Sequence, residues 1–170
     1  MIIIEGPDNA GKSSLAKKLS ELLGIDVHHS GGPPKTDSEI MSRHYFVING
    51  LIKNINIILD RVPCISDQVY GPLIRGYSPL ESHHLALFVE HLKIPIIYCR
   101  PPTKVLMTVE EGHESHGHDT PEHIQGIKTH ARAIISSYDK FISMIPHVTY
   151  DFTGEGSLVS VDDLVELSKL

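Results

Sequence analysis

Residues 6–13 read Gly-Pro-Asp-Asn-Ala-Gly-Lys-Ser, and no other stretch of the chain gathers so much chemistry. The spacing G-x-x-x-x-G-K-[ST] lets the backbone curl until successive N–H groups face one anion, which predicts a phosphate-binding loop. Gly6, Asn9, Ala10, Gly11, Lys12, Ser13 and Ser14 are the residues expected around the phosphates of ATP. Lys12 would meet the β and γ oxygens, and the Ser13 hydroxyl would serve Mg²⁺. An apolar run over residues 1–4 and a helix-forming run over residues 14–23 supply the strand and helix such a loop needs, with the helix N-terminus favouring negative charge.

Asp60-Arg61 follows a second apolar run, so a carboxylate is expected near Mg²⁺ and a guanidinium near a transferring phosphoryl group. Asp8 sits inside the loop and repels phosphate, so it should face something else, and a sugar hydroxyl is the natural partner. No Asn-Lys-x-Asp signature follows any later strand, which argues against a GTPase. The three features together point to a small-molecule kinase with Lys12, Asp60 and Arg61 as its catalytic groups, and with Ser13 and Asp60 as its metal residues.

Positioning these residues requires a layered fold. Ile2, Ile3 and Ile4 are consecutive rather than alternating, as a strand covered on both faces requires. Helix is expected over 12–23, capped by Gly24, then strand over 25–28 and a Gly/Pro loop over 29–35. A second helix spans about 36–53, capped by Asp37 or Thr36, and strand follows over 55–59. Residues 62–77 carry two prolines and two glycines and read as a loop. A third helix over 78–92, strand over 94–99, a polar lid-like segment over 109–120, a long helix from Pro121 to about 144, strand over 147–152 and a helix over 161–170 complete the chain. Strands alternating with helices imply right-handed crossovers and an α/β P-loop NTPase fold: three layers around a doubly wound, parallel, five-stranded sheet, with ligands at the carboxyl ends of the strands. The 170 residues need one domain.

Composition narrows the partners. A net charge of −6 with scattered cations disfavours a polynucleotide backbone, so a nucleic-acid partner is not expected and a small phosphorylated ligand is. Mean hydropathy is −0.05 and no apolar run is long enough for a membrane span or signal peptide, so a cytoplasmic location is expected. Cys64 and Cys99 are far apart and read as free thiols.

The residues Glu5-Gly6-Pro7-Asp8-Asn9-Ala10-Gly11-Lys12-Ser13 resemble the E-G-x-D-x-x-G-K-[ST] loop of thymidylate kinases, and Asp60-Arg61 resembles that family's Asp-Arg motif. Ser66-Asp67-Gln68-Val69-Tyr70-Gly71 resembles the segment that the family lays against the nucleotide. The Val-Tyr-Gly-Pro and Ile-Arg-Gly phrasing looks most like compact thymidylate-kinase-like proteins of phages. The resemblance implies ATP- and Mg²⁺-dependent phosphorylation of a deoxynucleoside monophosphate, dTMP or a related pyrimidine, by a homodimer built on the second and third helices. It also implies that Asp8 holds the deoxyribose 3′-hydroxyl and that Arg61 bridges the two phosphates. The chain departs from the family in its cations. Asn9-Ala10 occupy the loop positions where relatives carry a catalytic arginine, and residues 109–120 contain neither Arg nor Lys. Arg100, Lys104 and Arg132 are left as substitutes.

The acceptor can be argued from acidity. A 5′-hydroxyl needs a general base, whereas a monophosphate oxygen is already ionised. His28-His29 end the second strand where nucleoside kinases place a carboxylate, which favours a monophosphate over a nucleoside. Its phosphate would be met by Arg43, Arg61, Arg75 or Lys35, with Phe46 or Tyr45 and Tyr70 near the base. Arg75 reads equally as a solvated arginine, Phe46 and Tyr45 as helix packing, and Ser66 as a turn cap. Two rival readings stay open: a deoxynucleoside kinase and a non-catalytic nucleotide-binding module. His113, His116, His118 and His123 lack the spacing of a zinc site.

Overall fold

Strands β1 (Ile2–Glu5), β2 (Asp26–His29), β3 (Ile57–Asp60), β4 (Ile96–Cys99) and β5 (Val148–Tyr150) form one sheet in the order β2-β3-β1-β4-β5, with every neighbouring pair parallel. The computed structural model describes residues 1–81, 83, 93–108, 121–155 and 159–167. β1 lies at the centre, with Ile4 opposite both Asp60 of β3 and Ile97 of β4. That register brings the end of β1, where the loop begins, level with the Asp60-Arg61 strand end. The expected sheet is thus present, with strand ends shifted by one or two residues.

Successive residues of the central strands pack into different clusters, which explains the unbroken apolar runs. Ile3, Leu59, Ile96 and Tyr98 pack in one cluster with Val47 of α2 (Asp37–Ile52), Ile65 and Val69 of α3 (Pro63–Tyr70), and Ile134 and Tyr138 of a long helix over Pro121–Ile142. Ile2, Ile4, Ile58 and Ile97 pack in a second with Leu15 and Leu19 of α1 (Lys12–Leu23) and with Leu164 of a helix over Val161–Leu167. A short helix, α4 (Thr103–Leu106), follows β4 and makes the long helix α5 and the Val161–Leu167 helix α6. Full burial on both faces favours apolar side chains at every position of a strand.

Local signals hold at several boundaries. α1 ends at Gly24 with φ 67, and the Thr36 hydroxyl accepts the Glu39 N–H at 3.2 Å at the start of α2. Residues 62–77 correct the sequence reading. Pro63 opens α3 at a position that needs no donor, and Gly71–Arg75 continue it as a wider π-helical turn before Gly76 turns left-handed at φ 83. The two prolines sit in first turns, where they are tolerated, so the breakers that suggested a loop mark helix starts. The helix expected over 78–92 and the lid-like segment over 109–120, with His113, His116 and His118, fall wholly or mostly outside the described residues, as do the last three residues of the helix expected over 161–170.

Candidate active site

Two glycines shape the loop. Gly6 has φ 146, and a Cβ there would stand 2.5 Å from the Cys99 carbonyl oxygen, so β4 passes too close for any side chain. Gly11 has φ 77, and its Cβ would meet the Phe152 ring at 2.8 Å. Between them Asn9 is also left-handed, at φ 61, a conformation Asn tolerates. Lys12 opens α1 and is 8% exposed, and its ammonium donates to the Pro7 carbonyl at 2.6 Å, across the mouth of the loop. Burial, with the Arg61 charge beside it, pulls that ammonium down to about 8. Ala10 is buried, whereas Ser13 and Ser14 face outward at the first turn of α1.

The Ser13 hydroxyl donates to Asp60 Oδ2 at 2.8 Å, and His29 Nδ1 lies 3.0 Å from the same oxygen. A hydroxyl beside a carboxylate is the hard oxygen pair that Mg²⁺ accepts, so Ser13 and Asp60 fit the ion the loop implies. Among the described residues no cluster of three His, Cys, Asp or Glu side chains suggests any other metal site.

Asp8 and Arg61 meet directly. Arg61 Nη2 donates to Asp8 Oδ1 at 2.6 Å and to the Tyr70 hydroxyl at 3.1 Å, that hydroxyl donates to Asp8 Oδ2 at 2.8 Å, and the guanidinium carbon Cζ lies 4.9 Å from the Tyr70 ring centroid. Burial opposes ionisation of Asp8, but the charges of Arg61 and Lys12 and the hydrogen bonds from Tyr70 and Arg61 outweigh it and hold the carboxyl at about 2. Tyr70, read from sequence as a loop residue without a core to fill, is the last residue of α3 and is 8% exposed.

The other expected substrate residues have local partners. Arg43 donates to the Gly32 carbonyl at 2.7 Å and pairs with Glu39 one turn away, clipping the 30–35 loop to α2. Phe46 stacks on His28 with centroids 4.2 Å apart. Ser66 donates to the Val62 carbonyl at 3.0 Å in the first turn of α3. Arg75 pairs with Asp67, whose other oxygen accepts the Ser78 hydroxyl at 2.6 Å, and Gln68 donates to Ser78 at 3.2 Å and to the Leu80 carbonyl. Arg100, one substitute for the absent lid arginine, is held by Asp139 through bonds of 2.7 and 3.0 Å, and Lys104 pairs with Glu155. Arg132 is exposed on α5.

Four residues that enter this network were not singled out from sequence for the roles they have here: Glu5, His29, Asp67 and Tyr138. Glu5 had a legible signal, because a carboxylate ending a wholly apolar strand needs a buried partner. The signal for Asp67 and Tyr138 lies in tertiary packing alone.

No protein-family model and no curated protein sequence matches the chain. Solved structures do. The YorR protein from Bacillus subtilis, in complex with phosphorylated GDP, superposes with a TM-score of 0.63 at 23% identity over 97% of this chain and 91% of that one. Deoxyadenosine kinase from M. mycoides, with products dCMP and dCDP bound, gives 0.56 at 19% identity over 98% and 95%, and with dCTP bound it gives 0.53 at 18% over 98% and 96%. The chain shares with these structures a three-layer α/β fold, a five-stranded parallel sheet between helices.

Proposed function

We propose that this chain transfers the γ-phosphoryl group of ATP, with Mg²⁺, to a 2′-deoxynucleoside 5′-monophosphate, a pyrimidine such as dTMP foremost, as in the phage-type relatives it resembles. The observation that carries this reading is the Arg61–Asp8–Tyr70 cluster beside the phosphate loop. A carboxyl held at about 2 takes up protons poorly, so Asp8 is suited to receive hydroxyl hydrogen bonds and not to deprotonate an attacking group. Asp8 is therefore not the base that a 5′-hydroxyl would need, whereas a monophosphate oxygen brings its own charge.

Loop amides and Lys12 would hold the donor phosphates. Ser13 and Asp60 would hold Mg²⁺, which neutralises charge on the β and γ oxygens. Arg61, already at the end of β3, would turn part of its guanidinium from Asp8 to the acceptor phosphate and the moving phosphoryl group, while Asp8 takes the sugar hydroxyl. An acceptor oxygen attacks the γ-phosphorus, the bond to the ADP β-phosphate oxygen breaks, and the products are ADP and a deoxynucleoside diphosphate.

A second reading rests on His29. Its Nδ1 lies against Asp60 and its side chain is 57% exposed, so a carboxylate-oriented imidazole stands at the end of β2, where a base for a 5′-hydroxyl would be needed. The M. mycoides neighbour is named for a deoxynucleoside acceptor. ADP release with ATP and Mg²⁺ across a panel of deoxynucleosides and their monophosphates separates the readings: turnover with dTMP and not with thymidine supports the first, the reverse supports the second, and tight ATP binding without any transfer refutes both.

A further inference from the structure

Glu5 is a fully buried carboxylate, 0% exposed, and phosphoryl transfer as described above makes no use of it. An acid in such a place is retained by its hydrogen bonds. One oxygen accepts the Val62 N–H at 2.6 Å, and the other accepts the Tyr138 hydroxyl at 3.1 Å. Val62 directly follows Arg61, whose φ of 70 is unusual for a residue with a long side chain. The Arg61 N–H itself donates to the Ile4 carbonyl at 2.9 Å. β1 therefore grips two successive amides, one through its backbone and one through Glu5, on either side of a left-handed turn. The second bond of Glu5 reaches the same cluster from the opposite side. The Tyr138 ring stands edge-on to Tyr70, centroids 5.9 Å apart, and Tyr70 is the hydroxyl partner of Asp8.

We infer that Glu5 is a positioning residue: its carboxylate pins the Arg61–Val62 peptide in the left-handed turn and anchors Tyr138 behind Tyr70, so that both partners of Asp8 approach from fixed directions. Without that grip Arg61 would relax toward ordinary backbone angles, and its guanidinium would swing away from Asp8 and from the Gly6 carbonyl, which lies 3.5 Å from its Nη2. For its effect on rate the inference rests on the kinase reading, but its effect on geometry does not.

The test uses Glu5→Gln, which keeps a weaker oxygen acceptor at the same place, and Glu5→Ala, which removes it. With the monophosphate that the wild type turns over best, kcat should fall about tenfold in Glu5→Gln and about a hundredfold in Glu5→Ala, with KM for ATP moving less than about threefold. In a background of Arg61→Ala with Tyr70→Phe either change should add less than about threefold, because Glu5 acts through these two partners of Asp8. Losses that simply multiply, or a wild-type kcat in both variants, overturn the inference. Hydrogen exchange at the Val62 amide needs no substrate. It should quicken about tenfold in Glu5→Gln while the amides of β4 keep their rates, and an unchanged Val62 overturns the inference whatever the chain phosphorylates. A quickened Val62 in a protein that phosphorylates nothing refutes the kinase reading alone. Glu5→Gln carries both readouts if Glu5→Ala fails to fold.

Discussion

The Arg61 guanidinium lies 2.6 Å from the Asp8 carboxylate, joining the end of β3 to the middle of the phosphate loop. The pair is partly open to solvent, with 25% of the Arg61 side chain and 35% of the Asp8 side chain exposed. Ligand atoms can therefore reach both groups, and a substrate that offered a hydroxyl to Asp8 and a phosphate to Arg61 would satisfy each charge separately.

The two residues should then separate in kinetics. On the proposed reaction Arg61→Ala would remove a cation that gains its partner in the transition state, so kcat should fall by about two to four orders of magnitude with little change in KM for ATP. Asp8→Asn keeps the shape but loses the charge that fixes Arg61 and that, on the proposed reaction, would receive the sugar. It should raise KM for the acceptor about tenfold and lower kcat about tenfold. ADP-release kinetics with a deoxynucleoside monophosphate give both constants, and an acceptor KM untouched by Asp8→Asn would remove Asp8 from the site.

Gly6→Ala should fail in stability before it fails in chemistry. Its φ of 146 is open to glycine, and the added Cβ would lie 2.5 Å from the Cys99 carbonyl oxygen, which belongs to a central strand that cannot retreat. A loss of about 2–4 kcal/mol is expected in urea unfolding. At Gly11 the obstacle is the half-exposed Phe152 ring, which can turn aside, so Gly11→Ala should cost less. Equal losses at the two positions would contradict this difference.

These glycines also show what a sequence makes legible. The strand, loop and helix around them follow from local spacing, because the phosphate cradle is built from backbone within eight residues and its flanks from unbroken apolar runs. The pairing of Asp60 with Ser13 follows once β3 is placed beside β1. Partners that depend on side-chain packing between distant elements leave no such trace. Tyr138 reaches Glu5 from α5 across 133 residues, and Asp67 finds Ser78 only because 63–75 is helical, a segment whose prolines and glycines spoke for a loop. Arg75 likewise reads as an available cation until its carboxylate neighbour is placed.

Stability should fall between about pH 4.5 and 7 because of Glu5. Burial raises its folded value to about 7, against the attraction of Arg61 and Lys12 and the hydrogen bonds from Val62 and Tyr138. The folded state therefore holds this proton more tightly than the unfolded chain does. The contribution is fully present below the unfolded value and is lost as pH rises through 7, amounting to about 3 kcal/mol at about 1.4 kcal/mol per pKa unit. Asp8 acts in the opposite sense and in another window, its contribution being lost as pH falls from about 4 toward 2. Urea unfolding at pH 5 and pH 8 should show a drop in the wild type that Glu5→Gln largely abolishes. A drop of the same size in Glu5→Gln would place its origin elsewhere.

Arg75, a candidate from sequence for the acceptor phosphate or for a solvated surface position, pairs with Asp67. Asp67 is 5% exposed, and its charge is balanced by Arg75 on one oxygen and by the Ser78 hydroxyl on the other. The Arg75 charge also lies 6.0 Å from the centre of the Tyr77 ring, so the π-helical turn and the segment after it share one ionic anchor. Removing one partner of such a pair leaves a buried charge without its counter-ion, which costs more than the pair itself contributes. Arg75→Ala should therefore lower stability by about 2 kcal/mol, and adding Asp67→Ala should recover part of that loss. The acceptor KM of Arg75→Ala should stay within about threefold of the wild type. An acceptor KM raised tenfold or more at unchanged unfolding free energy would return Arg75 to the substrate, and would mean that Asp67 gives it up when the phosphate arrives.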